Sequence, residues 1–202
     1  MSAGGSKRER NKADRRDRIL AAAVALFYQR GYRATTYEAI ARRAAVSRGT
    51  VFNYYPYKEA LLVALMAGEL DALKRRIARL APGSLGGPTA EIAFVFEELA
   101  GFVESHRDLV LPLSYELLSP DPERSRAAYL ALPLAEMLRA ALVRAREIGE
   151  LRTDFTPERL ARSLANSYFL TVLQWAAYRQ DRSIRDELRA ALKIGLEGIL
   201  AR

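Results

Sequence analysis

Apolar side chains recur every three or four residues along most of this 202-residue chain, and proline and glycine mark where the pattern stops. This spacing places apolar residues on one face of an α-helix, whereas a half-buried strand needs strict alternation. Alternation persists nowhere in the sequence, and no internal repeat is visible. The pattern therefore predicts an all-α fold of about nine helices.

The predicted helices fall into a short N-terminal group and a longer C-terminal group. We expect residues 1–12 to be a disordered basic tail, residues 13–57 to form a three-helix unit, and residues 58–202 to form a larger helical domain. The helices are predicted at about 13–30, 35–44, 47–54, 56–80, 89–105, 107–118, 122–148, 157–181 and 183–201.

Single residues refine the ends of these helices. Either Thr35 or Thr36 can cap the second helix, and only Thr35 would form a capping box with Glu38. Pro56 fits the first position of the fourth helix, where its missing N–H group costs nothing. The prolines that fall inside predicted helices favour kinks or breaks there; they are Pro112 and Pro133.

The segment 36–58 carries the most specific chemistry. Ser47 can cap a short helix, which leaves the backbone N–H groups of Arg48, Gly49 and Thr50 at its positive end. An arginine and a hydroxyl at that end, followed by an aromatic ring and an amide, suit a phosphate backbone and a base edge. The segment therefore predicts binding to DNA.

The net charge of the chain is concentrated in the same part. The chain has 32 Lys and Arg residues against 24 Asp and Glu residues, a formal net charge of +8. Residues 1–60 hold 13 basic and 5 acidic side chains, which accounts for the whole excess. A tail that serves solubility would explain the charges before Ala13. It would not explain those on the helix pair, which are Arg42, Arg43, Arg48 and Lys58.

Other classes of protein fit the composition poorly. With no cysteine and one histidine, the chain has no disulfide scaffold, thiolate nucleophile or cysteine metal site. Glu97 and Glu98 are adjacent and would point about 100° apart on a helix, so they do not form an acid–base pair. We expect no enzymatic activity, no cofactor and no metal. The apolar run 19–27 is too short to span a bilayer, so we expect a cytoplasmic protein that does not bind membranes.

A helical interaction protein is the alternative hypothesis. Its basic end would bind RNA, a membrane surface or an acidic partner through residues 1–18 by charge alone. Binding of that kind leaves the pattern of residues 36–58 unexplained.

The N-terminal third resembles the TetR family of one-component bacterial transcriptional regulators. The matching stretches are Ala-Leu-Phe-Tyr-Gln-Arg-Gly-Tyr-Arg-Ala-Thr-Thr at 25–36, Ile-Ala-Arg-Arg-Ala-Ala-Val-Ser-Arg-Gly-Thr-Val-Phe-Asn-Tyr-Tyr at 40–55, and Lys-Glu-Ala-Leu-Leu at 58–62. The resemblance implies a helix-turn-helix whose recognition helix, at about 47–54, enters the major groove. It implies phosphate contacts by Thr36, Tyr37, Thr50, Tyr54 and Lys58. It implies a base-reading face made of Arg48, Gly49, Phe52 and Asn53.

Four residues depart from the family pattern. Phe52 replaces a frequent tyrosine and loses a hydroxyl, and Tyr57 replaces a small polar residue. Glu38 stands where a basic residue is common, which disfavours a guanine contact there and leaves recognition of cytosine open. Ala45 replaces the usual turn glycine, so the turn must avoid a positive φ or tolerate strain.

The C-terminal segment is expected to dimerise and to bind an effector. Gly195 and Gly198 weaken the last helix, which is explicable if another helix approaches closely, and family members commonly dimerise through the last two helices. The predicted dimer contacts are Leu164, Trp175, Leu188, Leu192, Gly195 and Ile199. The predicted effector contacts are Phe94, Phe102, Tyr115, Tyr129, Met137, Tyr168, Phe169 and Gln174. Each of these eight positions also fits an ordinary helical core.

The sequence thus predicts a sequence-specific transcriptional regulator, most simply a repressor. A homodimer would bind a pseudo-palindromic double-stranded DNA operator. An apolar or amphipathic small molecule would bind within residues 89–181, shift the helix at 58–80 and release the DNA.

Overall fold

The computed structural model describes residues 3–81 and 83–199, with side chains described for 7–81 and 83–198. The regular elements in this part of the chain are ten helices, which confirms the all-α prediction. They are α1 (Ala3–Arg30), α2 (Tyr37–Ala44), α3 (Arg48–Tyr54), α4 (Glu59–Arg79), α5 (Pro88–Ser105), α6 (Arg107–Leu117), α7 (Pro122–Ala131), α8 (Leu134–Glu147), α9 (Pro157–Tyr178) and α10 (Ile184–Ile199).

The tenth helix arises where Pro133 divides the predicted helix 122–148. Proline has no N–H group for the helical ladder, and here it stands before α8 and accepts a hydrogen bond from the Met137 N–H at 3.0 Å. Pro112, by contrast, lies inside α6 without ending it. The prediction that Pro56 begins the fourth helix was wrong. That helix, α4, begins at Glu59, and the non-helical residues 55–58 connect it to α3.

The predicted tail also differs from the structure. Helix α1 begins at Ala3, so residues 3–12 extend the helix that was expected to begin at Ala13. This segment contains no proline, and adding residues to an existing helix avoids the cost of nucleation.

Buried apolar residues form two clusters. The N-terminal cluster joins α1, α2 and α3 to the first turns of α4, with Ile19, Ile40, Val51 and Leu61 fully buried. The second cluster fills the C-terminal helices. Helix α4 belongs to both clusters, and Leu109 of α6 belongs to the N-terminal one. The predicted domain boundary after residue 57 therefore lies just before α4, a helix whose residues belong to both clusters.

Four of the six residues predicted at the dimer interface lie inside the chain's own core. Leu164, Trp175, Leu188 and Leu192 are between 1% and 6% exposed, because α9 and α10 pack on each other and α10 packs on α5. A Cβ on Gly195 would lie 2.8 Å from Leu164 Cδ2 of the same chain. The side chain of the sixth residue, Ile199, lies outside the described residues. The close approach inferred from the two glycines is thus found at Gly195, where the neighbour belongs to the same chain, and not at Gly198, where a Cβ would meet nothing within 4 Å.

Candidate nucleic-acid interface and ligand cavity

Two side-chain caps set the start of the helices in the helix-turn-helix. Thr36 Oγ1 accepts a hydrogen bond from the Ala39 N–H at 3.3 Å, so Thr36, and not Thr35, caps α2. Thr35 is buried, and its hydroxyl donates to the Gly31 carbonyl. Ser47 Oγ accepts from the Thr50 N–H at 3.0 Å and caps α3 as predicted. These caps fix where each helix begins.

The turn between α2 and α3 contains a left-handed residue. Ala45 has φ 53° and ψ 48°, and it is the one non-glycine residue with positive φ in the described chain. This conformation lets the Val46 N–H reach the Ala41 carbonyl at 3.0 Å. The turn therefore does not avoid a positive φ. Ala45 tolerates backbone strain that a glycine at this position would avoid.

Helix α3 presents one exposed face and one buried face. Val51 is fully buried, and Tyr55 just after the helix is also buried. The four residues predicted to read bases are all exposed; they are Arg48, Gly49, Phe52 and Asn53. Phe52 is 56% exposed. A solvated phenyl ring on this face suits contact with a thymine methyl group.

Glu38 of α2 lies against Arg48 of α3. The Glu38 Oε1 and Arg48 Nε atoms are 2.9 Å apart, and both side chains are more than half exposed. A hydrogen bond from its own backbone and the nearby Arg48 charge lower the pKa of the Glu38 carboxyl. Arg48 is therefore paired with a carboxylate on the surface that was predicted to face DNA.

The predicted phosphate contacts differ in whether their polar groups already form hydrogen bonds within the protein. Thr36 and Thr50 lie at the first turns of α2 and α3, and the Thr50 hydroxyl is 2.8 Å from Ser47 Oγ. The Tyr37 hydroxyl donates to the Tyr55 carbonyl at 2.8 Å, so its proton is already used within the protein. Tyr54 packs partly buried against the N-terminal cluster.

Lys58 binds backbone carbonyls of its own chain. Its Nζ atom donates to the carbonyls of Tyr32 at 2.9 Å and Thr35 at 3.1 Å, and it lies 4.1 Å from the centre of the Tyr32 ring. Partial burial lowers the pKa of the Lys58 amine. Two of the three Lys58 donors thus hold the segment between α1 and α2. The phosphate contact that the resemblance implies for Lys58 stays a prediction, with one donor left for it.

A cavity of about 940 Å³ lies between α4, α5, α6, α7, α8 and α9. Most of its wall is aliphatic or aromatic. Helix α6 contributes apolar residues at helical spacing, and they are Leu109, Val110, Leu113 and Leu117. This spacing is visible in the sequence, but it does not distinguish a cavity wall from a packed core.

Half of the predicted effector contacts line this cavity. Phe102, Tyr129, Tyr168 and Phe169 are part of its wall. The other four predicted contacts do not line it. Phe94 lies in a separate groove between α5 and α10, Tyr115 and Gln174 are exposed to solvent, and Met137 is buried in the core.

The charged residues of the cavity wall cluster at the first turns of α8 and α9. Arg139 binds Glu136 through two hydrogen bonds of 2.9 Å and 2.7 Å, and it lies 3.7 Å from Glu158. Arg162, one turn after Glu158, also lines the cavity and forms no ion pair among the described residues. The cavity is thus apolar with one charged region, which suits an amphipathic ligand. Sequence reasoning missed these residues because isolated charges on helices usually face solvent.

No group of three or more potential metal ligands lies within the described residues. No helix there has the length and hydropathy needed to cross a membrane.

Family models match both parts of the chain. The model of the bacterial regulatory proteins of the tetR family matches residues 19–65. The model of the C-terminal domain of TetR/AcrR family transcriptional repressors matches residues 70–198.

Individual relatives match over nearly the whole chain. The crystal structure of Thermus thermophilus FadR, a TetR family repressor in complex with lauroyl-CoA, is 46% identical, with a TM-score of 0.83 over 93% of this chain and 96% of that one. The repressor KstR of Mycolicibacterium smegmatis is 28% identical over 96% of this chain and 92% of its own. FadR from Bacillus subtilis in complex with stearoyl-CoA is 20% identical, with a TM-score of 0.68 over 90% of this chain and 98% of that one, and shows the shared fold.

Proposed function

Because the chain belongs to the TetR/AcrR family of transcriptional repressors, we propose that fatty acyl-CoA thioesters are the effectors that release it from its operator. The chain is a ligand-responsive, DNA-binding repressor. The observation that carries the choice of effector is the cavity, which is apolar over most of its wall and charged in one region. A relative of 46% identity binds lauroyl-CoA.

The size and lining of the cavity fit an acyl chain. Its volume of about 940 Å³ lies near the top of the range of about 300–1,000 Å³ typical of small-molecule sites. Each methylene group moved from water into such a wall contributes about 0.8 kcal/mol. Binding should therefore strengthen with acyl-chain length until the cavity is full.

The charged region fits the polar end of the ligand. Coenzyme A carries phosphate groups, and arginine binds phosphate through paired N–H donors. Arg162 is available for this, whereas Arg139 must exchange its bonds to Glu136 for bonds to the ligand. We therefore assign the acyl chain to the apolar wall and the headgroup to Arg162.

A homodimer through α9 and α10 is part of the proposal. Leu170 and Tyr178 on α9 and Ile194 on α10 are between 52% and 84% exposed. They are large apolar side chains on the outer faces of two helices whose inner faces fill the core, and a second copy would remove them from water. Ile194→Asp should convert a dimer into a monomer in analytical ultracentrifugation, while Ile148→Asp, at an exposed isoleucine elsewhere, should not.

Displacement of DNA tests the effector directly. The operator is first selected by the protein from a pool of random duplexes, and a scrambled duplex of the same composition serves as the reference. Lauroyl-CoA and stearoyl-CoA should displace the protein from the selected duplex, and coenzyme A alone should not. If neither thioester displaces it, the effector class is wrong. If the scrambled duplex competes equally well, the proposal of sequence-specific regulation is wrong.

A further inference from the structure

Five polar or aromatic side chains form a cluster between the helix-turn-helix and the C-terminal helices; this junction cluster comprises Tyr32, Tyr57, Glu59, Glu116 and Arg124. Arg124 Nε and Nη2 donate to the two carboxylate oxygens of Glu116 at 3.2 Å and 2.5 Å. The Arg124 guanidinium also lies 3.8 Å from the centre of the Tyr57 ring. Its Nη2 atom is 4.0 Å from Glu59 Oε2, and Glu59 Oε1 accepts a hydrogen bond from the Tyr32 hydroxyl at 2.6 Å.

The contacts of Arg124 are unequal in strength. Glu116 is 2% exposed, so its carboxylate depends on Arg124 for compensation of a buried charge. Ser125 Oγ also donates to the Leu117 carbonyl at 2.7 Å. Helices α6 and α7 are therefore joined as one unit. Toward the helix-turn-helix, Arg124 makes a cation–π contact with Tyr57 and a distant ion pair with Glu59, and these weaker contacts break first.

Helix α6 touches both the cavity and the helix-turn-helix. At its first turn, Asp108 Oδ2 accepts a hydrogen bond from the Tyr32 N–H at 2.9 Å, and Leu109 is buried in the N-terminal cluster. Glu116 follows Asp108 by eight residues, which is about 12 Å along the helix axis. Leu113 and Leu117, near that second end, line the cavity. The N-terminal end of α6 is thus bonded directly to Tyr32. Its C-terminal end contacts the helix-turn-helix through Arg124, which binds Glu116 and lies against Tyr57.

A displacement of Tyr57 would affect both helices of the helix-turn-helix, α2 and α3. Tyr57 follows Tyr54, the last residue of the recognition helix α3, by three positions. The next residue, Lys58, is bonded to the carbonyls of Tyr32 and Thr35, and Thr36 caps α2. A displacement at Tyr57 is therefore transmitted to the ends of both α2 and α3.

We propose that Arg124 is a positioning residue that holds α3 in its DNA-binding arrangement through Tyr57, and that an effector releases α3 by moving the α6–α7 unit. The proposal rests on the proposed function, since it takes the cavity as the effector site. Occupation of the cavity pushes on Leu113 and Leu117, and the anchored end at Asp108 turns this push into movement of the Glu116–Arg124 end. The contact between Arg124 and Tyr57 then breaks while the contact between Arg124 and Glu116 persists.

The proposal has a thermodynamic consequence that a purely structural role lacks. A contact made only in the DNA-binding arrangement opposes effector binding, so removing it shifts the population toward the effector-binding arrangement. Operator binding should become weaker and effector binding tighter. A variant that is merely damaged would bind both more weakly.

The experiment compares Tyr57→Ala with Tyr57→Phe, both of which keep the Arg124–Glu116 pair intact. Tyr57→Phe retains the ring face and is the matched control. We expect Tyr57→Ala to raise the operator Kd and to lower the lauroyl-CoA Kd of the DNA-free protein, by two factors whose product is about three, the factor that a partly exposed cation–π contact supplies. Tyr57→Phe should match the wild type in both. A higher lauroyl-CoA Kd in Tyr57→Ala, or no change in either Kd, overturns the proposal.

Hydrogen exchange gives a second readout that needs no effector. The amides of residues 48–54 should exchange faster in Tyr57→Ala than in Tyr57→Phe, while those of α6 exchange at equal rates. Equal exchange of residues 48–54 in the two variants also overturns the proposal. If the wild type binds its operator but not lauroyl-CoA, the proposed effector is wrong, and the exchange rates alone decide the role of Arg124.

Discussion

Glu38 and Arg48 form an ion pair between the two helices of the helix-turn-helix, with 2.9 Å between Glu38 Oε1 and Arg48 Nε. Each residue lies in the first turn of its helix, on the face proposed to contact DNA. The Arg48 Nε is thus paired with a carboxylate on that face. We expect Glu38 to weaken binding to any DNA through its charge and to leave more of the base discrimination to Phe52 and Asn53.

Glu38→Gln should strengthen binding to the operator and to unrelated DNA alike. The substitution removes a negative charge near the phosphates and frees Arg48, so the slope of log Kobs against log salt should become steeper by about one unit. Fluorescence anisotropy titrations at several salt concentrations measure both quantities. Glu147→Gln, at an exposed glutamate at the end of α8, is the control. A slope equal to that of the wild type would show that Arg48 stays away from DNA.

Ala45→Gly should stabilise the protein. Ala45 has φ 53°, a conformation that costs alanine roughly 1 kcal/mol more than glycine. The free energy of unfolding from urea titration should therefore rise by about 1 kcal/mol. Ala44→Gly, at the preceding helical and buried residue, should lower it instead. Destabilisation by both substitutions would contradict the strain assigned to Ala45.

Lys58→Met should affect stability more than DNA binding. The substitution removes the charged donor from the carbonyls of Tyr32 and Thr35, and the free energy of unfolding should fall by about 2 kcal/mol. The salt slope of operator binding should remain within about half a unit of the wild type, since a phosphate contact would contribute about one unit. Lys12→Met, at an exposed lysine of α1, is the control for stability. A slope lower by one unit with unchanged stability would favour the phosphate contact instead.

Leu113→Trp should weaken effector binding. Leu113 lines the cavity from α6, and an indole there takes the space of several methylene groups of an acyl chain. Loss of two buried methylenes weakens lauroyl-CoA binding by about tenfold, which isothermal titration calorimetry measures. Tyr115→Trp, on the exposed face of the same helix, is the matched control. Equal affinities of both variants would exclude this cavity as the acyl site.

Alkaline pH should destabilise the protein partly through Tyr37. Burial, and then the charge of Glu59, raise the pKa of Tyr37 to about 12 from its ordinary value of 10.0. Between these values the unfolded chain releases a proton that the folded chain retains, so stability falls as pH rises from 10 to 12. The difference in the free energy of unfolding between wild type and Tyr37→Phe should therefore shrink across this interval in urea titrations. A constant difference would contradict the assignment, and Tyr178→Phe, at an exposed tyrosine, serves as the control.

Local interactions explain why much of the helix-turn-helix was predictable. Ser47 caps α3 because its hydroxyl reaches the backbone N–H three residues ahead, whatever surrounds it. Gly31 ends α1 with φ 82°, a conformation that glycine adopts readily. Val51 and Tyr55 are buried, and Arg48 and Phe52 are exposed, as the helical period requires. These features depend on residues close in sequence.

Contacts between distant residues explain what the sequence did not predict. Lys58 looks like a surface lysine in the sequence, but its amine binds the carbonyls of Tyr32 and Thr35, which precede it by more than 20 residues. Leu164 and Leu188 have the spacing of an interface, but the helices of their own chain cover them. Arg124, 65 or more residues along the chain from Tyr57 and Glu59, gives no sign in the sequence of its place in the junction cluster.

The sequence by itself determined the helical fold, the helix-turn-helix and the family, because caps, turn residues and helical periodicity act over a few neighbouring residues. The tertiary structure decided which apolar faces fill the core, which line the cavity and which remain exposed. Helical spacing is the same in all three cases, and only the packing of one helix on another selects among them.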